Sequence, residues 1–556
     1  MKNRLLLFVI FFTAVYNGFA NKSSAPNGKT SKISADALYY NATFYTVDAN
    51  FSTSTAMVVD KGKILAVGSL TELNNAYECK TKVNLKGKFV YPGFIDAHAH
   101  FIGYAGALQQ VNLYGTKSWN EILDKVKEFA STHPNGWIIG AGWDQNDWAV
   151  KNFPNNQQLS QLFPDRPVIL KRVDGHAAIA NEKALALAGL KPGDKLIGGE
   201  IETSNGKLTG ILIDNGMGAV FAKIPDQSFE TFKKEIQQAE YNLLKAGITT
   251  VHDCGLDFQS VEKLKQLQAS NELAIRMYIM LMDSPENFNY IEKTGAYFSD
   301  QIIVNAIKIV GDGALGSRGA CLLHPYSDKK DHLGFLINTA SHYDSVANWC
   351  LKNKWQLCTH AIGDSANRVI LKIYEKYLNG KNDLRWRIEH AQIINAADFN
   401  YFGKNNIVPS IQPTHATSDM YWAKDRLGAD RMKGAYAYKD LLNQNKWVAL
   451  GTDFPVEDIS PLKTFYASTF RIDSKGWPTG GFQIENALSR EETLRGMTIW
   501  AAKASFEENK KGSLEPGKWA DFIVLDTDLM KADAGKILQT KTLYTVINGK
   551  VVYQAK

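Results

Sequence analysis

The chain has 556 residues, of which 45% are hydrophobic and 22% charged, and its formal net charge is +6. This composition is that of a globular protein and excludes a disordered or collagen-like chain. The length exceeds one compact core of ordinary size and predicts a large domain with a smaller one attached. Because Lys and Arg form no dense run, the charge indicates no nucleic-acid partner.

The first twenty residues differ in pattern from the rest of the chain. Lys2 and Arg4 precede an apolar run, and the Gly-Phe-Ala sequence that ends at Ala20 places small residues at a signal-peptidase site. This layout predicts a cleaved signal peptide over residues 1–20 and a secreted or periplasmic protein. The apolar run is too short for a stable membrane anchor. Residues 21–33 are polar and predict a flexible linker.

Short β-strand patterns occur at both ends of the chain that follows the leader. Asp60-Lys61-Gly62 is a turn signal between two N-terminal strands, and Asn548-Gly549 is a two-residue hairpin signal near the C-terminus. Neither end is long enough to bury a sheet alone. We therefore predict that residues 34–90 and 505–556 combine in one small β-sandwich.

The central part of the chain alternates buried-strand patterns with helical ones. Phe229–Ala246 is the clearest helix, because its apolar residues have helical spacing and Gly247 follows it. Eight strands that alternate with helices predict an α/β fold, a (β/α)₈ TIM barrel, over residues 91–504. The segment between the first and second predicted strands is unusually long and predicts an inserted subdomain at about 115–225. The predicted strands are Tyr91–Ala97, Ile248–Asp253, Ala274–Leu281, Ala306–Gly311, Gln356–His360, Arg385–His390, Ile407–Gln412 and Trp447–Thr452.

Candidate metal ligands follow several of the predicted barrel strands. His98 and His100 end the first strand, and residues two apart in a strand point to the same side, so both imidazoles can bind one ion. His360, His390 and Asp453 end three later strands. The active sites of TIM barrels lie at the C-terminal ends of the strands. Any one of these residues alone is also compatible with an ordinary polar side chain at the barrel rim, so the prediction of a metal site depends on all of them together.

Longer motifs surround these residues, and further motifs occur elsewhere in the chain. They are GFIDAHAH (93–100), DGHA (174–177), KIVGDGALGSR (308–318), THAIGD (359–364), RIEHAQ (387–392), GTDFPV (451–456) and GSLEPGKWADFIVLD (512–526). In this order and spacing they resemble the amidohydrolase superfamily, and more narrowly its YtcJ-like branch, which includes the N-substituted formamide deformylases. The resemblance covers nearly the whole chain after the leader and implies a metal-dependent hydrolase.

The resemblance implies a role for each candidate ligand. His98 and His100 are expected to bind the more buried metal, and His360 and His390 the more exposed one. Asp453 is expected to bind the buried metal and to act as the catalytic proton shuttle.

A sixth ligand, Lys308 in the fourth strand, also comes from the resemblance. In many family members this lysine is carboxylated and bridges two ions. An unmodified lysine is a cation without a free electron pair, whereas its carbamate is an anion with two oxygen atoms. Two divalent metals are therefore implied, with zinc preferred and iron or manganese as alternatives. If Lys308 is unmodified and pairs with Asp312 or another acid, a mononuclear site is favoured.

The implied activity is hydrolysis of a non-peptide C–N bond, in an amide or N-substituted formamide of small size, through a metal-bound hydroxide. A divalent metal lowers the pKa of bound water from about 15.7 to about 7, so hydroxide forms at neutral pH. Two alternatives stay open: a mononuclear deaminase or other ring hydrolase of the same superfamily, and an inactive barrel that only binds a ligand. A homo-oligomer is compatible with the family.

Other residues are weaker candidates for substrate binding. Trp143 is compatible with an aromatic pocket or with packing in a lid. Asp174 and His176 either face the substrate or cap the following helix. Arg318 either binds an acidic group or forms a surface ion pair. Five histidines outside this constellation are interpreted as structural, namely His133, His324, His332, His342 and His415.

Overall fold

Residues 32–556 are described by a computed structural model, in which the chain forms a parallel barrel, a terminal sheet and an inserted subdomain. The signal peptide predicted over residues 1–20, and the predicted linker up to residue 31, lie outside the described residues. In the described part of the chain, no helix combines the length and the hydrophobicity that a membrane span requires.

Eight parallel strands form the central barrel, and each pairs with the barrel strand that follows it in the chain. The eighth strand lies beside the first, so the barrel is nearly closed. Every strand corresponds to one of the eight predicted segments, which confirms the TIM barrel. The strands are Phe94–Ala99, Ile248–Leu256, Arg276–Met282, Ile302–Val310, Gln356–Ala361, Arg387–His390, Val408–Ile411 and Ala449–Leu450. A short strand, Tyr297–Phe298, pairs antiparallel with the fourth barrel strand.

The first barrel strand begins later than we predicted. Tyr91 belongs to the preceding strand, Tyr77–Pro92, which pairs with the terminal sheet, and the barrel strand starts at Phe94. Between them, a Cβ on Gly93 would lie 2.3 Å from Thr249 Oγ1. The chain passes from one sheet to the other where only glycine fits, and apolar patterning does not reveal such a close approach.

Seven strands from both ends of the chain form one continuous sheet. The two ends meet where Phe522–Leu525 pairs antiparallel with Tyr77–Pro92, with Val524 opposite Val90. We expected the two ends of the chain to combine in a β-sandwich. The two ends do combine, and hydrogen bonds join all seven strands edge to edge in one sheet, because the C-terminal strands extend the free edge of Tyr77–Pro92. In sheet order the strands are Lys550–Gln554, Thr542–Ile547, Phe522–Leu525, Tyr77–Pro92, Ile33–Tyr45, Thr53–Asp60 and Lys63–Gly68.

The inserted subdomain is built on a six-stranded sheet, whose strands come from the segment of the sequence between the first and second barrel strands. Ile169 and Leu170, neighbours in one strand, belong to different apolar clusters, so both faces of the sheet are covered. Asp214, at the end of another strand, contacts Gly313 beyond the fourth barrel strand. This contact places the subdomain against the C-terminal end of the barrel. In sheet order the strands are Gly199–Ser204, Lys207–Asp214, Ala177–Ala180, Val168–Arg172, Ile138–Trp143 and Val111–Asn112.

Helices connect the barrel strands. The clearest predicted helix, Phe229–Ala246, is present with the predicted bounds. The Ser228 side chain accepts a hydrogen bond from Thr231 N at its start, and Gly247, with a φ of 87°, ends it. The other helices around the barrel are Phe101–Ala107, Phe258–Ala269, Pro285–Thr294, Ala340–Asn353, Asp364–Leu378, Asn400–Asn405, Pro413–Asp419, Ala423–Arg431, Tyr438–Asn445, Pro461–Phe470, Arg490–Gly496 and Ile499–Ala504. Those of the subdomain and the terminal segments are Leu70–Ala76, Trp119–Thr132, Gln157–Leu162, Glu182–Ala188, Asn215–Phe221 and Ala534–Ile537.

Candidate metal centre

The six predicted metal ligands all lie at the C-terminal end of the barrel. The first, fourth, fifth, sixth and eighth strands, or the residues that directly follow them, contribute these side chains. In chain order the ligands are His98, His100, Lys308, His360, His390 and Asp453. Five of them line one cavity of about 810 Å³, and His98 is fully buried behind them.

Asp453 stands between the first two histidines. Its Oδ1 atom is 3.4 Å from His98 Nε2 and 3.3 Å from His100 Nε2. The ring of His390 lies 4.7 Å from that of His98 and 4.5 Å from that of His360, measured between ring centroids. The tertiary structure therefore brings four histidines and one carboxylate together at one place.

Hydrogen bonds orient two of these histidine rings. His98 Nδ1 lies 2.6 Å from Glu389 Oε2, and His390 Nδ1 lies 2.8 Å from Gln412 Oε1. Burial alone would raise the pKa of Glu389, but the positive charge of Arg387 beside it holds that pKa well below its usual value. Each ring thus uses Nδ1 for orientation, which leaves Nε2 for another partner.

The candidate ligands fit a divalent metal. His98 Nε2, His360 Nε2 and Asp453 Oδ1 are buried, and none has a hydrogen-bond partner within residues 32–556. Buried polar atoms are almost always paired, so three unpaired ones at one place point to a ligand. Burial also holds the pKa of His360 and of His390 well below the usual value, which keeps both rings neutral and able to bind a metal. Imidazole and carboxylate together form a ligand set that zinc accepts.

Lys308 is buried without an acidic partner. The residue is 3% exposed, and it forms no ion pair within the part of the chain that the structure describes. Asp312 accepts hydrogen bonds from the backbone amides of Ile362, Gly363 and Cys321 at 2.9, 2.8 and 2.8 Å. The alternative interpretation of the sequence, an ion pair between Lys308 and Asp312, is therefore not present in the structure.

The inserted subdomain supplies a wall of the same cavity. Arg172, which is 1% exposed, forms an ion pair with Asp174. The ring centroid of His176 lies 5.0 Å from that of His360, and His176 Nδ1 is hydrogen-bonded to Asp214. Burial alone would lower the pKa of His176, but the charge of Asp214 raises it to about 9. Two of the predicted substrate-binding residues, Asp174 and His176, therefore lie at the cavity.

The other two predicted substrate-binding residues do not line the cavity. Trp143 is fully buried in the core of the subdomain, where its indole Nε1 donates a hydrogen bond of 2.8 Å to Leu170 O and its ring packs against Trp148. Arg318 forms an ion pair with Asp328 at 2.8 Å. Trp143 thus stabilises the subdomain, and Arg318 has the ion-pair role that was its alternative in the sequence.

His415, which the sequence pattern left as structural, belongs to the site. Its Nε2 is 3.1 Å from Asp453 Oδ2 and its Nδ1 is 3.1 Å from Glu457 Oε1. Burial alone would lower the pKa of His415, but the hydrogen bonds to these two carboxylates raise it to about 10. A signal was present in the sequence: His415 follows the seventh barrel strand closely, as Asp453 follows the eighth.

Comparisons with known proteins show which family and which proteins the chain is similar to. A family profile described as "Amidohydrolase family" matches residues 81–553. Protein LONG AFTER FAR-RED 3 of Arabidopsis thaliana is 33% identical over 94% of this chain and 92% of its own. A putative amidohydrolase YtcJ of Bacillus subtilis (strain 168) is 29% identical over 93% of this chain and 99% of its own. An N-substituted formamide deformylase of Arthrobacter pascens is 26% identical over 93% of this chain and 98% of its own.

A solved structure supports the same assignment. An uncharacterized metal-dependent hydrolase from Pyrococcus horikoshii OT3 superposes with a TM-score of 0.73 and 27% sequence identity, over 90% of this chain and 99% of its own. The resemblance drawn from the motifs is thereby confirmed. The chain belongs to the amidohydrolase family, in the superfamily of metal-dependent hydrolases.

Proposed function

We propose that the protein hydrolyses a non-peptide C–N bond in a small amide or N-substituted formamide, with two divalent metals, zinc preferred. The observation that carries this proposal is the gathering of unpaired, buried histidine and aspartate atoms at one side of an 810 Å³ cavity. The similarity to an N-substituted formamide deformylase over nearly the whole chain supports the substrate class.

Each predicted ligand has a place in this proposal. His98 and His100 would hold one metal with Asp453, and His360 and His390 would hold the other. A divalent metal bound there polarises the substrate carbonyl and lowers the pKa of water.

Lys308 supports the two-metal form. Its buried amine forms no ion pair among the described residues, and a buried ammonium without an ion pair is costly. Carboxylation replaces that charge with an anion that has two oxygen ligands. A mononuclear deaminase, the second candidate, leaves Lys308 as a buried cation without an ion pair, which gives this alternative less support.

Asp453 handles the proton in this mechanism. Burial alone would raise its pKa, but in the metal-free protein the positive charge of His98 and a hydrogen bond from His415 hold that pKa well below the usual value, so the carboxylate is ionised. A bound divalent metal would supply the positive charge in place of His98. It accepts a proton from the attacking water and transfers that proton to the leaving amine. The low pKa of the free carboxylate makes it a good donor in the second step, because the proton is held weakly.

The residues of the inserted subdomain face the substrate. The ring centroid of His176 lies 5.0 Å from that of His360, and Asp174, which is paired with Arg172, lines the same cavity. We place the part of the substrate beyond the scissile bond against these side chains.

A substrate screen tests this proposal. Protein lacking residues 1–20 and loaded with Zn²⁺ is incubated with N-formyl amines, N-acyl amines, cyclic amides and amino-substituted heterocycles, and newly formed amine and ammonia are quantified. The metal content per chain is measured on the same sample. We expect amine release with two metals per chain. One metal per chain together with ammonia release from a ring substrate would favour the deaminase. A fully loaded protein that releases no product from any substrate would support the ligand-binding alternative.

A further inference from the structure

His415 joins two carboxylates at the edge of the candidate metal centre. Nε2 of the ring faces Asp453 Oδ2 and Nδ1 faces Glu457 Oε1, each at 3.1 Å. Glu457 also accepts a hydrogen bond of 2.6 Å from the Ser418 hydroxyl. The ring is 8% exposed and packs at 28° to the ring of His390, with the centroids 5.8 Å apart. Asp453, Glu457 and the ring of His390 thus fix the position of the His415 ring.

The two oxygens of Asp453 have different surroundings. Oδ1 faces His98 and His100 and has no hydrogen-bond partner among the described residues, whereas Oδ2 is bound by His415. The backbone of Asp453 is held by a hydrogen bond of 2.8 Å from its amide to His98 O. With the backbone held, the contact with His415 fixes the rotation of the carboxylate, so that one oxygen faces the candidate ligands His98 and His100 and the other faces His415.

We infer that His415 is a positioning residue that fixes the rotation of the Asp453 carboxylate, so that a single oxygen faces the proposed metal ligands His98 and His100 while the other is held by His415. Glu457 in turn orients His415. The inference rests on the proposed metal-dependent function for its catalytic consequence, but its structural part concerns only how Asp453 is held. Side chains that orient metal ligands in this way typically contribute about 10–100-fold to metal affinity or activity.

Two substitutions at this position separate orientation from packing. The amide nitrogen of glutamine reaches the place of histidine Nε2, so His415→Gln keeps a donor for Asp453. The shorter asparagine places its amide near Nδ1, so His415→Asn keeps a contact with Glu457 and loses Asp453. The exposed, remote His133→Gln serves as the control for loss of an imidazole. Thermal unfolding checks that each variant is folded.

The readouts do not depend on knowing the substrate. Zn²⁺ affinity is measured by competition with a chromophoric chelator, and the visible spectrum of the Co²⁺-substituted protein reports the ligand geometry. We expect His415→Asn to weaken Zn²⁺ binding by about 10–100-fold and to change the Co²⁺ spectrum. His415→Gln and His133→Gln are expected to stay within a few-fold of the unchanged protein. With an identified substrate, kcat should fall in His415→Asn while KM changes little.

Two results would overturn the inference. One is a His415→Asn protein with unchanged Zn²⁺ affinity and Co²⁺ spectrum. The other is an equal loss in the asparagine and glutamine variants, which would assign His415 to packing. If neither His415 variant folds, Glu457→Ala replaces them, because it leaves the His415 ring in place. Glu457→Ala should then change the visible spectrum of the Co²⁺-substituted protein in the same way as expected for His415→Asn, but less. An unchanged Co²⁺ spectrum would count against the inference. Failure of the proposed function is a separate result, since it appears as absent hydrolysis by the unchanged protein.

Discussion

Asp453 and Lys308 are the residues on which the proposed chemistry depends most directly. Asp453 is the carboxylate nearest to the first histidine pair, and one of its oxygens has no partner among the described residues. Lys308 is buried at the same cavity and forms no ion pair among the described residues. One residue is an ionised carboxylate, and the other is a buried amine without an ion pair. Substitution of each therefore has a distinct expected effect.

Asp453→Asn is expected to lower kcat by at least about 10²-fold, because a carboxamide cannot accept the proton of the attacking water. At saturating Zn²⁺ the metal should remain bound, since four histidines still surround the centre, although its affinity should fall at least as far as in His415→Asn. Steady-state kinetics and metal analysis of the same sample check both points. Asp344→Asn, a surface carboxylate paired with Lys376, is the matched control. Full activity in Asp453→Asn would show that another group moves the proton.

Lys308→Met is expected to reduce the metal content from two ions per chain to one. Methionine has nearly the volume of the lysine side chain but cannot be carboxylated, so the proposed carbamate could not form while packing would be preserved. Elemental analysis after dialysis measures the stoichiometry, with Lys376→Met on the surface as control. Two metals retained in Lys308→Met would contradict the carbamate.

Among the elements, the crossing from the terminal sheet to the barrel is the most tightly defined. The strand Tyr77–Pro92 and the first barrel strand are separated by Gly93 alone. The side chain of Thr249, on the second barrel strand, occupies the space where a Cβ at Gly93 would lie. The join between the two sheets therefore depends on a residue without a side chain.

Gly93→Ala is expected to destabilise the fold by about 1–3 kcal/mol, or more, because the added methyl group overpacks the contact with Thr249. Thr249→Ala should recover part of the loss, since the two atoms nearest to the added Cβ are Oγ1 and Cγ2 of Thr249. Urea unfolding measures both variants. Gly218→Ala, in a helix with nothing within 4 Å of the added Cβ, is the control and should be neutral or slightly stabilising. Equal stability of Gly93→Ala and the unchanged protein would show that the contact relaxes freely.

At the scale of the whole molecule, both ends of the described chain are tied to the barrel. Arg276 of the third barrel strand forms a buried ion pair of 2.6 Å with Asp521, which precedes a strand of the terminal sheet. The guanidinium also lies 3.7 Å from the centre of the Trp519 ring. The terminal sheet is thus joined to the N-terminal end of the barrel, away from the cavity. The signal peptide that we predict lies outside this described part of the chain.

We expect the exported protein to begin at Asn21, because a signal peptidase cleaves after small residues such as Ala20. Expression of the full chain in a Gram-negative host, followed by fractionation and intact-mass analysis, checks this. Ala20→Leu should block cleavage and leave the longer chain attached to membranes. A cytoplasmic protein that retains residues 1–20 would contradict the predicted signal peptide.

The sequence by itself determined the barrel and the positions of five candidate ligands at the strand ends. Period-two and buried-strand patterns are local, and a histidine that ends such a strand must lie at the strand's C-terminal end. His98, His100, His360, His390 and Asp453 were predictable for that reason. Lys308 and the division of roles came from the family resemblance, because no local pattern marks a lysine as a ligand.

Only the tertiary structure decided the contacts between distant segments. His415 has the same local surroundings as many helix residues, and its role depends on Asp453 and Glu457 arriving beside it when the barrel closes. The amphipathic side chain of Trp143 is compatible with a binding pocket or with a hydrophobic core. The packing of the subdomain buries it in the core. Local sequence constrains which element forms and which way a side chain points. The distance between two side chains on different elements depends on how all the elements pack, and no single segment contains that information.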